Sequence, residues 1–454
     1  MTKANNLWSM VVACISLVAC SSRKALQGNS HSAIIEKVAK ATIFSDSNFA
    51  TAHIGISIYD ATDNKYLYNY QGDKYFVPAS NTKLLTCYAA MKYLGDSIVG
   101  LQYDEQNGFV TFSGTGDPTF MMSDFANQPV LDFLKSKPSI SYIKDELFPS
   151  LTPWGKGWAW DDYQDDYMAE RSVFPIYGNC AQFFLQGDTV TVLPHLFYNY
   201  SIQWLNGIIR NGTGLHFKIV RKLEANDFHS LSQLLTQPNF SRQAVPFKTD
   251  DNPTTLQLLK EVLGKDVGYS VWTDGGGRLP KVIHSQPTDS LLAITMHRSD
   301  NFFAEQTLLM VSDERLHKMS DTRIIDTLLN TDYKDMPQKP KWVDGSGLSR
   351  YNLITPQDFV YVLNKMKHEF SWNRITAILP TGNKGTLSGY YKNYTGRIYA
   401  KTGTLSNNVA LSGYLLTAKG KQFIFSVLVN NHQTSATNIR REVEQFLSTV
   451  MDDN

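Results

Sequence analysis

Cysteine is scarce in this 454-residue chain, four in all, and their placing excludes two classes of protein. Cys14 and Cys20 fall in the first twenty residues, while Cys87 and Cys180 stand alone. No Cys-x-x-Cys pair offers a zinc or iron–sulfur site, and no disulfide framework can be drawn. Charge imbalance is missing as well. Lys+Arg at 43 against Asp+Glu at 42 leaves a formal net charge of +1, with no basic tract and no acidic tail, so nucleic acid is not an implied partner. The ten histidines are scattered singly and read as surface or satisfied core residues; only His432, after a C-terminal strand, has a place near a sheet edge. There is no Gly-x-Ser-x-Gly, no His-Glu-x-x-His and no Gly-x-x-x-x-Gly-Lys-Ser/Thr, which removes nucleophile-elbow hydrolases, zincins and P-loop enzymes. No metal and no cofactor is expected.

Long apolar runs are absent after the start of the chain. The one at Leu7 to Val18 follows Lys3 and is too short to span a bilayer comfortably, which is the pattern of an export signal. It closes on Leu17-Val18-Ala19-Cys20-Ser21-Ser22, which resembles the lipobox of bacterial lipoproteins. The expectation is a signal peptide over residues 1–20, acylation of Cys20, and a periplasmic protein held to the cell envelope membrane by lipid. The alternative is an ordinary signal peptide with an incidental cysteine.

What the chain does have is ample core material, 42% hydrophobic and 12% aromatic, and one stretch on which the rest is organised, Val77 to Thr86. Leu84, Cys87, Tyr88 and Met91 recur at i, i+3, i+4, i+7, which predicts a helix with one buried face ended by Gly95. Ser80 opens it, and Lys83 lies one turn on, beside the serine hydroxyl. A serine becomes a nucleophile only when something takes its proton, and a lysine can do so only if its amine is held below the usual range by burial or a neighbouring cation. Ser-x-x-Lys alone is weak, since Ser21-x-x-Lys24 and Ser141-x-x-Lys144 also occur. Company changes this. Ser299-Asp300-Asn301 and Lys401-Thr402-Gly403 follow in order, and the trio marks class A β-lactamases and penicillin-binding proteins.

Along the chain, residues 31–40 suggest a first amphipathic helix. Ile54 to Asp60 and Tyr66 to Tyr70 read as a hairpin around Asp63-Asn64. From 98 to 286 short aromatic-rich pieces alternate with turn signals, such as Gly114-Thr115-Gly116-Asp117-Pro118 and Asn211-Gly212-Thr213-Gly214, and read as inserted β-rich material. Helical periodicity at Thr288 to His297 and Phe302 to Val311 leaves Ser299-Asp300-Asn301 in the break between two helices. Asp344 to Leu348 reads as a structural loop, and Thr355-Pro356-Gln357-Asp358 as the capping box of the next helix. Strands at Arg397 to Lys401, Val409 to Thr417 and Gln422 to Val429 join the first hairpin in a five-stranded antiparallel sheet, and a helix from Ala436 closes the chain. The fold expected is α+β, helix on sheet on helix, with a catalytic domain from 21–97 and 287–454 and inserted domains over 98–286.

In such a site Ser80 attacks a carbonyl and Lys83 takes the proton, with Lys401 as a nearby cation that keeps Lys83 neutral. Ser299 relays a proton to the leaving amine, and Asn301 holds the Lys83 amine and the substrate backbone. Lys401, Thr402 and Thr404 grip a carboxylate, and Gly403 leaves room for an extended peptide. The amides of Ser80 and Thr404 form the oxyanion hole. Trp154, Trp158 and Trp160 with Asp161 and Asp162 suit either a sugar-binding surface or a hydrophobic domain junction. Cys87, on the apolar helix face, reads as a buried structural thiol.

Taken together, Pro78-Ala79-Ser80-x-x-Lys83, the Gly114 to Pro118 loop, Gly157-Trp158-Ala159-Trp160-Asp161-Asp162, Ser299-Asp300-Asn301, Asp344-Gly345-Ser346-Gly347-Leu348-Ser349-Arg350 and Lys401-Thr402-Gly403-Thr404 resemble the landmarks of the class C low-molecular-mass penicillin-binding proteins. The resemblance runs from about residue 30 to the C-terminus. It implies a transpeptidase/β-lactamase-like catalytic domain, D-Ala-D-Ala carboxypeptidase and DD-endopeptidase activity on peptidoglycan stem peptides, and covalent inhibition by β-lactams. Two rivals stand beside it. A class A β-lactamase shares the three motifs, but the long separation of Ser80 from Ser299 and the lack of an evident deacylating glutamate count against it. A lipid-anchored penicillin-sensing or wall-binding protein, acylated without turnover, differs only in rates.

Overall fold

The computed structural model describes residues 31–145, 151–210, 217–232, 241–249, 252–272 and 277–454. The leader with Cys20 and the turn signal at 211–214 lie outside them.

The central sheet is built from both ends of the chain. Strands β1 (His53–Asp60) and β2 (Lys65–Tyr70) form the expected hairpin, and β3 (Ile398–Leu405), β4 (Asn408–Leu416) and β5 (Gln422–Asn430) come from the last sixth of the sequence. The order is β3-β4-β5-β1-β2, antiparallel throughout, with β1 against β5 from His53↔Asn430 to Asp60↔Phe423. Alternation along a strand sends successive side chains to opposite faces. On β5, Phe423, Phe425, Val427 and Val429 meet the helix over residues 31–42 (α1) and the closing helix Ala436–Asp453. Ile424 and Leu428 meet the opposite helical layer. With helices on both faces β5 is buried almost end to end, so a helix–sheet–helix α+β architecture accounts for a run that is apolar at nearly every position.

The second helical layer holds α2 (Lys83–Tyr93), followed after a long excursion by α3 (Thr288–Arg298), α4 (Asn301–Leu316) and α5 (Pro356–Glu369). The spacing predicts one buried face for α2, but every residue from Lys83 to Met91 is buried. The helix runs through the middle of its layer, packed on α3, α4 and α5. A helix enclosed on all sides needs no polar stripe. Its end is as expected: Gly95 takes φ +68° just past the C-cap Leu94, a conformation that glycine adopts without steric cost. At α5 the capping box between Thr355 and Asp358 is present with Pro356 at the first turn.

Between Ser97 and Pro287 the chain makes a body of its own around Phe112, Phe183, Phe228 and Phe247. Its first and last strands, Ser97–Gln106 and Lys281–Pro287, pair antiparallel with Ser97 opposite Pro287, so the chain leaves and re-enters the body built on the central sheet at one point. Such closely spaced ends let a domain be inserted without disturbing its host. The expectation of β-rich material holds, with ten strands among the described residues of this body, and helices and a parallel strand add to it. Three helices, Pro129–Ser136, Tyr200–Arg210 and Asn252–Leu263, are present among the described residues, and Ser139–Asp145 runs parallel to both its neighbours.

Candidate active site

Ser80 sits in a 3-10 turn, Ala79–Thr82, that leads into α2 at Lys83, two residues before the N-cap Thr82. Polar groups from the sheet fix this turn. Asn81 Nδ2 donates to Ser412 Oγ at 2.7 Å, Ser412 Oγ donates to Ser426 Oγ at 2.8 Å, and Val77 exchanges hydrogen bonds with the Asn430 amide. β3 presses on the same turn: a Cβ at Gly403 would lie 2.7 Å from Pro78 O and 3.1 Å from Asn81 N. The space opened by Gly403 is therefore taken by the protein's own turn, which corrects the expectation that it is kept for an extended peptide.

Lys83 is wholly buried, and its amine meets three groups: Ser80 Oγ at 3.0 Å, Asn301 Oδ1 at 2.7 Å and the Ser346 carbonyl at 2.8 Å. Asn301 presents its oxygen because its Nδ2 donates to Tyr167 O at 3.2 Å. Two of the three neighbours of Lys83 can only accept. A neutral amine has two N–H bonds and one lone pair, so with both hydrogens given to Asn301 and Ser346 the lone pair is left for the Ser80 hydroxyl. The protonated amine, with three N–H bonds, satisfies the same three neighbours, so the acid–base state decides how often the lone pair is present. Burial lowers Lys83 to about 8, against an upward pull from Asp344, Glu305 and Asp300.

Ser299 occupies the break between α3 and α4 in the left-handed region, φ 60°, and Asp300 caps α4 by accepting from Phe303 N at 2.9 Å. This geometry turns the Ser299 hydroxyl toward β3, where Lys401 Nζ donates to it at 2.8 Å and to Thr402 O at 2.7 Å. Burial holds the Lys401 amine well below its ordinary range, and the positive neighbours Lys83 and Arg440 press it further. Repulsion between two amines is mutual, but three carboxylates favour the charge on Lys83, so the loss falls on Lys401. The expectation that Lys401 keeps Lys83 neutral gives way to burial as the cause. Thr402 is buried, and the Thr404 hydroxyl accepts a hydrogen bond from the Arg440 guanidinium.

Several groups at the site were missed in the sequence. Asp344 to Leu348, expected to be only structural, supplies the Ser346 carbonyl to Lys83. Buried Asp344 ties the loop by accepting from Gly347 N, Ser349 N, Asn352 Nδ2 and Trp158 Nε1 at 2.6 to 2.9 Å. Gly347, at φ +82°, is obligatory, since a Cβ there would lie 1.9 Å from Ala79 O. Glu305 Oε1 accepts from Ser346 N at 2.7 Å, aiming the carbonyl behind it. Burial pushes Glu305 up to about 7, Asp344 adding to the rise and Arg171 opposing it. Trp158 belongs to a domain junction, with the Arg171 guanidinium 5.7 Å from its ring, whereas Trp160 is exposed. His432 is buried beside the β3–β4 turn, its backbone N donating to Asn407 O. Cys87 and Cys180 are free and buried, with burial pushing the Cys87 thiol up to about 12. No group of three metal-ligating side chains occurs among the described residues.

Arg171 reaches from the inserted body to Asp321 at 2.6 Å and Glu305 at 3.4 Å, itself 1% exposed. Removing one partner of a buried ion pair typically costs about 3 to 5 kcal/mol, so Arg171→Met should lower stability by that order in chemical denaturation. The deficit should be greater at pH 8 than at pH 5.5. Glu305, already raised to about 7, is protonated and needs no partner at the lower pH.

A search of protein families matches residues 36–196 and 265–450 to the D-Ala-D-Ala carboxypeptidase 3 (S13) family. The chain is similar to the D-alanyl-D-alanine carboxypeptidase DacB of Haemophilus influenzae, 23% identical over 84% of this chain and 86% of that protein. It is also similar to a D-alanyl-D-alanine carboxypeptidase of Actinomadura sp., 25% identical over 87% and 80% respectively. In fold it resembles the crystal structure of penicillin binding protein 4 from Haemophilus influenzae, with a TM-score of 0.68 at 20% identity, covering 91% of this chain and 97% of that one. With the family's model matched across most of its length, the chain belongs to the D-Ala-D-Ala carboxypeptidase 3 (S13) family.

Proposed function

We propose that the chain is a serine-type D-Ala-D-Ala carboxypeptidase and DD-endopeptidase that cleaves peptidoglycan stem peptides through an acyl-enzyme on Ser80 and is acylated there by β-lactams. The observation that carries this is the trio of neighbours on the Lys83 amine, Ser80 Oγ, Asn301 Oδ1 and Ser346 O; once the amine is neutral, the two carbonyl oxygens take its hydrogens and its lone pair faces the Ser80 hydroxyl. Ser80 Oγ attacks the carbonyl of the penultimate D-Ala as Lys83 takes its proton. The amides of Ser80 and Thr404 receive the oxyanion, each typically worth about 3 to 4 kcal/mol. Ser299, hydrogen-bonded to Lys401, passes a proton to the leaving amine, and water then releases the acyl group. A terminal carboxylate belongs at Lys401, Thr402 and Thr404, with Arg440 beside Thr404. An opposite charge arriving there favours the protonated form of Lys401 that burial disfavours. The relatives named as D-alanyl-D-alanine carboxypeptidases support the reaction class.

Purified peptidoglycan digested with the soluble protein should release D-Ala and uncross-linked peptides, identified by mass spectrometry. A protein that binds penicillin yet releases neither is a sensor and not a peptidase. The protein is further read as a periplasmic lipoprotein with its anchor on Cys20, on the support of the Leu17 to Cys20 pattern. Cys20→Ser should move the protein from the membrane to the soluble fraction. Unchanged fractionation, or a wild-type mass without lipid, overturns the anchor.

A further inference from the structure

Beside the site, and sharing Ser299, Asp300 and Asn301 with it, lies a cavity of about 470 Å³. Neither Ser80 nor Lys401 lines it. Its far wall comes from the inserted body, and five charged side chains face it: Asp124, Asp166, Arg242, Arg298 and Asp300. Three of these satisfy one another. Arg298 pairs with Asp124 at 2.9 Å and with Asp300 at 3.5 Å. The other two do not. Arg242 gives only its Nε to Gln182 at 3.0 Å and lies over the Phe184 ring, and neither it nor Asp166 has an ion-pair partner among the described residues. A cavity presenting one guanidinium and one carboxylate without ion-pair partners among the described residues suits a ligand that carries both signs of charge.

The geometry points to a subsite for the leaving strand of a cross-linked peptide, with Arg242 facing a free carboxylate of that strand and Asp166 an ammonium or amide N–H. This deepens the proposed function and rests on it. In that reaction the Ser80 Oγ–carbonyl bond forms, the amide C–N bond breaks, and the proton that Ser80 gave up to Lys83 is relayed through the Ser299 hydroxyl to the departing nitrogen, which leaves Lys83 neutral and Ser299 protonated. The leaving group therefore sits at Ser299, and whatever extends from it beyond the catalytic groups has this cavity on its path. A single D-Ala has no such extension and leaves the cavity unfilled. A second stem peptide has one, and it carries free carboxylates and, once released, an ammonium. The cavity would thus separate endopeptidase from carboxypeptidase cleavage at one nucleophile.

Two substrates test this, a stem pentapeptide ending in D-Ala-D-Ala and a purified cross-linked peptide dimer, with wild type, Arg242→Gln and Asp166→Asn. A lost charge-assisted contact reads as about tenfold to a hundredfold in kcat/KM. That loss is expected for the dimer with Arg242→Gln and, less steeply, with Asp166→Asn. Pentapeptide cleavage and the rate of penicillin acylation should stay within about twofold. Amidating the carboxylates of the leaving strand should reproduce the Arg242→Gln loss in wild type. Variants that lose both substrates in parallel, or neither, overturn the subsite alone. A wild-type protein that takes up penicillin but cleaves neither substrate overturns the functional reading and the subsite with it.

Discussion

Ser80→Ala should abolish covalent labelling by a fluorescent penicillin and slow cleavage of a D-Ala-D-Ala peptide by about ten-thousand-fold or more, the scale of removing a nucleophile that acts as a unit with its base. Two other serines lie close enough to the amines to be considered. Ser299 Oγ lies 2.8 Å from Lys401, whose amine has one carbonyl acceptor, Thr402 O, whereas Lys83 has two, Asn301 Oδ1 and Ser346 O, to take both hydrogens of the neutral amine. Ser346 offers Lys83 its carbonyl, while its hydroxyl accepts from Leu348 N at 3.2 Å. Only Ser80 has an oxygen facing the lone pair left on Lys83. The substitution removes no hydrogen bond that holds the turn, because Asn81, Thr82 and Val77 do that, so thermal stability should be nearly unchanged. Stoichiometric labelling of the Ser80→Ala protein at the wild-type rate would mean that the nucleophile lies elsewhere.

Much of this site is legible in the sequence because it sits at junctions that sequence marks well. Ser80 and Lys83 begin a helix, Ser299 to Asn301 fill the gap between two, and Lys401 to Thr404 lie on the strand that starts at Ile398. The groups that escaped act in ways that residue types do not advertise. Ser346 contributes a backbone carbonyl, and Glu305, in the middle of α4, contributes by holding the amide next to it. Arg440 arrives from the closing helix. The inserted body was harder for a related reason. From Tyr198 to Trp204 apolar and polar residues alternate like a strand, yet Tyr200–Arg210 is a helix with Ile202 and Leu205 buried and Tyr200 and Trp204 exposed. Exposed aromatics, Tyr198, Tyr200 and Trp204, supply three of the four apolar positions in that alternation, and periodicity alone does not separate these cases over short spans. α2 posed the opposite problem, since enclosure on every side removes the polar face that would reveal its surroundings.

The acid limb of the pH dependence of kcat/KM should fall near pH 8, with activity rising as pH increases, because Lys83 works as a base only when its amine is neutral and burial lowers it to about 8. At pH 7 about one molecule in ten would then be competent. Lys83→Met should reduce acylation by about a thousandfold or more at every pH, within the range of general-base catalysis, and with it the limb should vanish. Two further variants identify what sets the limb. Glu305→Gln keeps an oxygen for the Ser346 amide and removes a carboxylate that favours the charged amine, so the limb should move to lower pH. Burial pushes Glu305 up to about 7, so its carboxylate is ionised over most of the limb and its removal is felt there. Lys401→Gln should leave the limb in place, since burial and not Lys401 lowers Lys83, while a peptide ending in a free carboxylate loses about tenfold to a hundredfold. A limb that moves upward in Lys401→Gln would mean that Lys401 is charged in the free enzyme and that its repulsion, more than burial, holds the base in its working form.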